Sequence, residues 1–165
     1  MQTPRQIFLR NIGQTTDNPF SIEIEKARGI YMYDRDGKDY IDLVSGVSVS
    51  NVGHRHPRVV EAIKHQADKH MHLLVYGELV QYPQVQFARL LLEQLNGSFD
   101  NIYFVNSGSE ANEGAMKLAK KYTGRTEIIA CKHAYHGSTQ GVLSLMGDEK
   151  WRNPFRPLLP DIRFI

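Results

Sequence analysis

From Asn101 onward the sequence alternates short apolar runs with stretches of helical period, and this alternation constrains the fold more than any other feature. Asn101-Ile-Tyr-Phe-Val105 reads as a strand. A helix follows, in which Ala111, Ala115, Leu118 and Tyr122 recur at helical spacing and Thr123-Gly124 ends it. Glu127-Ile-Ile-Ala-Cys131 and Asp161-Ile-Arg-Phe-Ile165 read as further strands. Parallel strands cannot be joined by a tight turn, so strands that alternate with helices predict a parallel α/β sheet. Such a sheet needs cover on both faces and several strands to close a core. Only two or three strands are present in the 165 residues, so the pattern is expected to stop in the middle of a fold.

The first half reads differently. Pro4 to Ile12 carries Ile7, Phe8 and Ile12, which suits a short helix or an arm, and Asn18-Pro19 breaks the chain. Ile22, Ile24, Ile30, Tyr31, Tyr33, Tyr40, Ile41 and Leu43 lie around the turn signal Asp34-Arg-Asp-Gly37. This predicts a small antiparallel meander. Pro57 suits a first helical position, and Val59, Ile63 and Ala67 form one stripe to about Met71. A second helix opens near Pro83, with Val85, Ala88, Leu91, Leu92 and Leu95 on its expected buried face, and Asn96-Gly97 ends it.

Composition narrows the class. Twenty Lys+Arg against 18 Asp+Glu give a formal charge of +2, with no broad basic field for nucleic acid. The lone cysteine, Cys131, cannot form an internal disulfide, which fits a reducing, cytoplasmic setting. The N-terminus lacks a signal-like apolar run, and no stretch approaches the ~20 apolar residues of a membrane span.

Three segments carry candidate chemistry. In Val105-Asn-Ser-Gly-Ser-Glu-Ala-Asn-Glu113, Gly108 allows close backbone approach, and the first amides of the helix favour an anion such as a phosphate. Ser107 and Glu110 also have capping-box spacing, so simple capping is an equally concrete reading. The loop His133-Ala-Tyr-His-Gly-Ser-Thr139 follows a strand, where ligands of open parallel sheets bind. Tyr135 there either stacks on a planar ring or packs on neighbouring loop residues. In Ser45-Gly-Val-Ser-Val-Ser-Asn-Val-Gly-His-Arg-His-Pro57, His54 and His56 would share one face of a strand. Without a carboxylate or thiol nearby they make a poor metal pair, and hydrogen bonding to the turn before Pro57 is favoured. His65, His70 and His72, with Lys64 and Lys69, read as a solvated face.

Taken together, Tyr33-Asp-Arg-Asp-Gly37, Gly53-His-Arg-His-Pro57, Asn106-Ser-Gly-Ser-Glu-Ala-Asn-Glu113, Lys117-Leu-Ala119, Thr123-Gly-Arg125 and Tyr135-His-Gly137 resemble the N-terminal part of a class III aminotransferase. The resemblance runs from about Asn18 to the end. It implies an incomplete α/β fold, the N-terminal part of a fold type I transferase that uses pyridoxal 5'-phosphate. Residues 1–72 would be the N-terminal segment and part of a small domain, and 73–165 the truncated start of the cofactor-binding large domain. By position, Ser107, Gly108 and Ser109 would hold the cofactor phosphate, Tyr135 would lie on its ring and His136 beside it. Ser45, Gly46 and Val47 would line the substrate side. Leu73 to Tyr82 would lie near the interface of a homodimer. The implied substrates are a small amine or amino acid and a keto acid; neither nucleic acid nor a membrane is an expected partner.

Two departures qualify the resemblance. Acetylornithine- and ornithine-type members usually carry Arg after aromatic-x-Gly, where this chain has Ser138, and a hydroxyl cannot replace a bidentate guanidinium. Further, none of Lys26, Lys38, Lys64, Lys69, Lys117, Lys120, Lys121, Lys132 and Lys150 matches the family's Schiff-base lysine motif. The aspartate that pairs with the pyridine nitrogen is likewise expected beyond residue 165, so no catalytic residue is assigned and the chain alone is not expected to transaminate. Two other readings stay open. One is decarboxylation or an amino shift within the same family. The other is a non-catalytic short protein that binds a phosphate compound or dimerises with a full-length relative.

Overall fold

The structure is a computed structural model and describes residues 2–74 and 77–165. The chain divides into two compact units, Met1–Leu79 and Val80–Ile165.

In the first unit, helix α1 (Pro4–Asn11) opens with a complete capping box, in which Thr3 and Gln6 bond each other's backbone amides. The expected meander follows as β1 (Ile24–Arg28), β2 (Tyr31–Asp34) and β3 (Asp39–Ile41), antiparallel in that order. Turn chemistry sets its register. Asp34 Oδ1 accepts the amides of Asp36 at 3.0 Å and Lys38 at 2.9 Å, Gly37 takes φ 83°, and the Tyr40 hydroxyl donates to Asp34 Oδ2 at 2.8 Å.

After the sheet comes the single turn α2 (Ser45–Ser48), in which Ser45, Gly46, Val47 and Ser48 all have left-handed φ, from 51° to 65°. Such a conformation costs about 1–2 kcal/mol per non-glycine residue, and more crowding arises at a β-branched one such as Val47. Helix α3 (Pro57–Lys69) begins at the expected proline. Its Val59–Ile63–Ala67 stripe lines an open groove of about 790 Å³ instead of packing against a neighbour among the described residues. His70 is half-buried at the end of α3, and its carbonyl accepts from Gln66 Nε2 at 2.9 Å, so it leaves the solvated face expected for it. His65 and His72 are exposed. No described residue of this unit is fully buried.

In the second unit, α4 (Tyr82–Gln94) half-buries Ala88, Leu91 and Leu92, and left-handed Asn96 and Gly97 follow it. Asn101–Val105 does not form the expected strand: it has no ladder partner among the described residues, and apolar composition alone does not make a strand. Helix α5 (Gly108–Thr123) ends at Gly124, φ 67°. Strands β4 (Ile128–Ala130) and β5 (Ile162–Phe164) pair in parallel, Ile128 opposite Ile162 and Ala130 opposite Phe164.

Between these strands run two short helices not legible in the sequence, α6 (Gln140–Leu143) and α7 (Glu149–Arg152), and a 3-10 turn at Asn153–Phe155. Met116, Ala130, Val142 and Leu145 form the core, with Ile128, Ile162 and Phe164 packed against it. Ser144, 1% exposed, stays satisfied by donating to the Gln140 carbonyl and accepting from the Leu159 amide, both at 3.0 Å.

The face of α5 that turns inward is not the one its apolar spacing predicts. Leu118 and Tyr122 are 68% and 89% exposed, while Met116 is buried and Ser109, Asn112 and Glu113 are half-buried. A polar stripe faces the loop between β4 and α6, and the stripe Ala111–Ala115–Leu118–Tyr122 faces outward. Among the described residues no helix is long and apolar enough to cross a membrane.

Candidate functional site

Residues one helical turn apart share a face, so Ser109, Asn112, Glu113 and Met116 point the same way from α5. Each polar member of this set bonds the segment that follows β4. Ser109 Oγ accepts the Ser138 amide at 3.4 Å, and Asn112 Nδ2 donates to the His136 carbonyl at 2.8 Å. Glu113 Oε1 accepts the Thr139 hydroxyl at 2.7 Å and the Val142 amide at 3.1 Å. Because Val142 lies in the first turn of α6, Glu113 caps that helix from outside it.

Two glycines let the segments approach. A Cβ on Gly137, whose φ is 127°, would strike Ser109 Oγ and come within 2.9 Å of Val142 Cγ2. One on Gly141 would lie 2.7 Å from Glu113 Cδ and closer still to its carboxylate oxygens. Side chains larger than hydrogen at either position would push the loop off the helix.

The capping reading at Ser107 holds in one half. Ser107 Oγ accepts the Glu110 amide at 3.2 Å, but Glu110 Oε2 takes the Asn106 amide at 2.6 Å instead of returning to Ser107. Gly108 and Ser109 supply the first two amides of the helix, ahead of its first intrahelical bond, and a Cβ on Gly108 would meet nothing within 4 Å. The Gly108 end of the helix is thus uncrowded at the Cβ position and has two leading amides outside its own ladder.

The structure thus brings Ser107, Gly108 and Ser109 together with His136, Gly137 and Ser138 in the second unit. Tyr135 is 72% exposed and His136 is half-buried. Ser45, Gly46 and Val47 belong to the first unit, where they form the left-handed turn α2. The segment Leu73 to Tyr82, expected near a dimer interface, includes Val75 and Tyr76, which lie outside the described residues.

The histidine expectation is corrected. His54 Nε2 meets Asp42 Oδ2 at 2.7 Å instead of bonding the turn before Pro57. His56 caps α3 through its backbone only, and its Nδ1 is buried without a partner. An ionised carboxylate can only accept, so His54 Nε2 carries the proton in this contact. The Asp42 carboxyl is held below the usual range, chiefly by the Ser45 amide and then by His54.

Sequence reasoning missed Asp42, Asn112 and Glu113 as site-building residues. For the last two a signal existed, since Ser109, Asn112 and Glu113 have the i, i+3, i+4 spacing of one helix face. For Asp42 none existed, because its partner His54 is twelve residues away across a fold-dependent contact.

Comparison with known proteins finds relatives among the aminotransferases. The chain is 40% identical over 152 residues to an acetylornithine aminotransferase of Methanopyrus kandleri, covering 91% of this chain and 38% of the relative. A solved taurine:2-oxoglutarate aminotransferase of Bifidobacterium kashiwanohense, in complex with PLP and glutamate, superposes with a TM-score of 0.86 at 32% identity. That match covers 96% of this chain and 36% of the other. An adenosylmethionine-8-amino-7-oxononanoate aminotransferase of Methanocaldococcus jannaschii superposes at 0.89 and 30% identity, covering 97% and 39%. The chain therefore spans less than two fifths of the length of each of these three proteins. Its antiparallel meander and two-stranded parallel sheet form part of the fold type I architecture of these transaminases. The sequence model of class-III aminotransferases matches residues 12–165, and the chain belongs to that family.

Proposed function

We propose that the protein containing this chain transfers an amino group from an amine or amino acid to a keto acid, using pyridoxal 5'-phosphate. One observation carries the reading. The loop after β4 is fastened to the first turns of α5 by Ser109, Asn112 and Glu113, so the ring-binding and phosphate-binding candidates converge on one open helix terminus.

The residues suit the cofactor. Free space beside Gly108, the leading amides of α5 and the hydroxyls of Ser107 and Ser109 match a phosphate dianion. Next to them, exposed Tyr135 offers an aromatic face to a planar ring, with His136 at its side. When bound, pyridoxal phosphate supplies the electron sink that makes the substrate carbon acidic.

The chain's own part is binding and orientation. Gly108 and Ser109 would anchor the charged end of the cofactor and Tyr135 would lie against its ring. Asn112 and Glu113 hold the backbone that carries Tyr135 and His136, which limits the motion of the ring. Ser45, Gly46 and Val47 are assigned to the substrate side on the family resemblance of their motif alone. The amine that holds the aldehyde and moves the proton at the substrate carbon is assigned to a lysine outside residues 1–165. Ser138, standing where acetylornithine- and ornithine-type members usually carry Arg, argues for a substrate whose carboxylate is bound elsewhere. A cytoplasmic homodimer is the state that this reading expects.

The test is intact mass, with and without borohydride reduction, of the protein purified from its native source. One pyridoxyl adduct, mapped to a lysine outside residues 1–165, is the expected result. A protein that gains no adduct after saturation with pyridoxal phosphate refutes the reading.

A further inference from the structure

We propose that Asp42 and His54 form a positioning pair that holds the left-handed turn Ser45–Ser48 in the shape that admits substrate. The inference rests on the assignment of Ser45, Gly46 and Val47 to the substrate side.

Four successive left-handed residues do not persist unaided, and strained backbone survives only where its surroundings over-determine it. Packing does not supply that constraint, since Val47 is 81% exposed. The turn closes locally, through Val47 and Ser48 amides to the Val44 carbonyl at 2.9 and 3.1 Å and Val49 and Ser50 amides to the Ser45 carbonyl at 2.9 and 3.0 Å, but these bonds do not fasten it to the meander.

Asp42 does. Its Oδ1 accepts the amides of Val44 at 3.1 Å and Ser45 at 2.8 Å, at the entry to the turn, and its Oδ2 accepts from His54 Nε2 at 2.7 Å. Both partners are themselves held by the backbone at the β1–β2 connection. The Asp42 amide donates to the Ile30 carbonyl at 2.8 Å, and His54 exchanges two backbone hydrogen bonds with Gly29, at 2.7 and 3.0 Å. Gly53 makes this approach feasible, because a Cβ there would lie 3.0 Å from the Gly29 carbonyl oxygen. The Asp42 side chain is only 7% accessible, so water competes little for its oxygens. The route thus runs from the meander through His54 and Asp42 to the turn.

The test uses the protein as made from its own gene, loaded with pyridoxal phosphate. His54→Phe removes the donor while keeping a ring, and His54→Gln restores an N–H of similar reach. For His54→Phe, amide exchange at Val44 and Ser45 should accelerate by about tenfold or more, as loss of a charge-assisted bond implies. KM for the amino substrate should rise by a similar factor, more than kcat falls, with cofactor content unchanged. His54→Gln should recover most of both effects. Unchanged exchange in the loaded His54→Phe protein overturns the proposal, and so does faster exchange without a KM effect. If His54→Phe does not fold, His54→Ala, which removes the ring and its donor, must give the same pattern for the proposal to stand. A parent protein that never binds cofactor defeats the functional reading instead, and exchange alone then decides whether the pair holds the turn.

Discussion

Replacing Glu113 with alanine removes the carboxylate that joins α5 to the start of α6. Two hydrogen bonds to a charged acceptor disappear, from the Thr139 hydroxyl and from the Val142 amide. Their costs differ. Thr139 is exposed and its hydroxyl turns to water, whereas Val142 is 0% exposed and its amide has no ready substitute. Stranding such a buried donor costs about 2–3 kcal/mol. With each 1.4 kcal/mol worth a factor of ten, opening of this turn should become roughly 30- to 140-fold more frequent. Native-state hydrogen exchange across Val142–Met146 reads that factor directly, provided that local opening governs exchange. Glu113→Gln keeps an uncharged acceptor and should lose about half as much in kcal/mol, because neutral bonds are roughly half as strong. Two results would refute the reasoning: an alanine variant whose Val142 amide exchanges as slowly as the parent's, or loss of protection in β4 as large as in α6. The second would mean that the whole unit, not the loop, had been destabilised.

Two further predictions follow from other contacts. Gly147→Ala should reduce soluble yield and lower Tm. A Cβ there would lie 2.8 Å from the Lys132 carbonyl carbon and 3.0 Å from the Cys131 oxygen, backbone that cannot swing aside, and overpacking of this kind costs about 1–3 kcal/mol. An alanine variant as stable as the parent in thermal melts would contradict the fit. Acid should loosen the first unit. The Asp34 carboxyl lies below its ordinary 3.8, chiefly through the Tyr40 hydroxyl, and that of Asp42 does so chiefly through the Ser45 amide. Folded values below unfolded ones mean stability that is present above pH 3.8 and lost as pH falls through the lower folded values. The protection factors of the Lys38 and Ser45 amides, measured downward from pH 5 and corrected for the intrinsic slowing of exchange in acid, should fall in that window, and Asp34→Asn with Asp42→Asn should flatten the dependence.

By itself the sequence determined the elements whose causes are local. Proline at the first helical position placed α3, the Asp-Arg-Asp-Gly turn paired β2 with β3, and Gly124 stopped α5, because each depends on a few neighbouring residues. Ordered motifs also made the family legible, as did the open N-terminus of α5 and the loop at Tyr135. Only the tertiary structure decided which face of each helix is covered. Apolar spacing marks a stripe but not its partner, so the stripes of α3 and α5 proved exposed while the polar Ser109–Asn112–Glu113 face turned inward. It also decided that Asn101–Val105 lacks a ladder, since a strand exists only with a neighbour to bond. The link between Asp42 and His54 is of the same kind. Neither residue has a local reason to meet the other; the antiparallel turn at Gly29 brings them together.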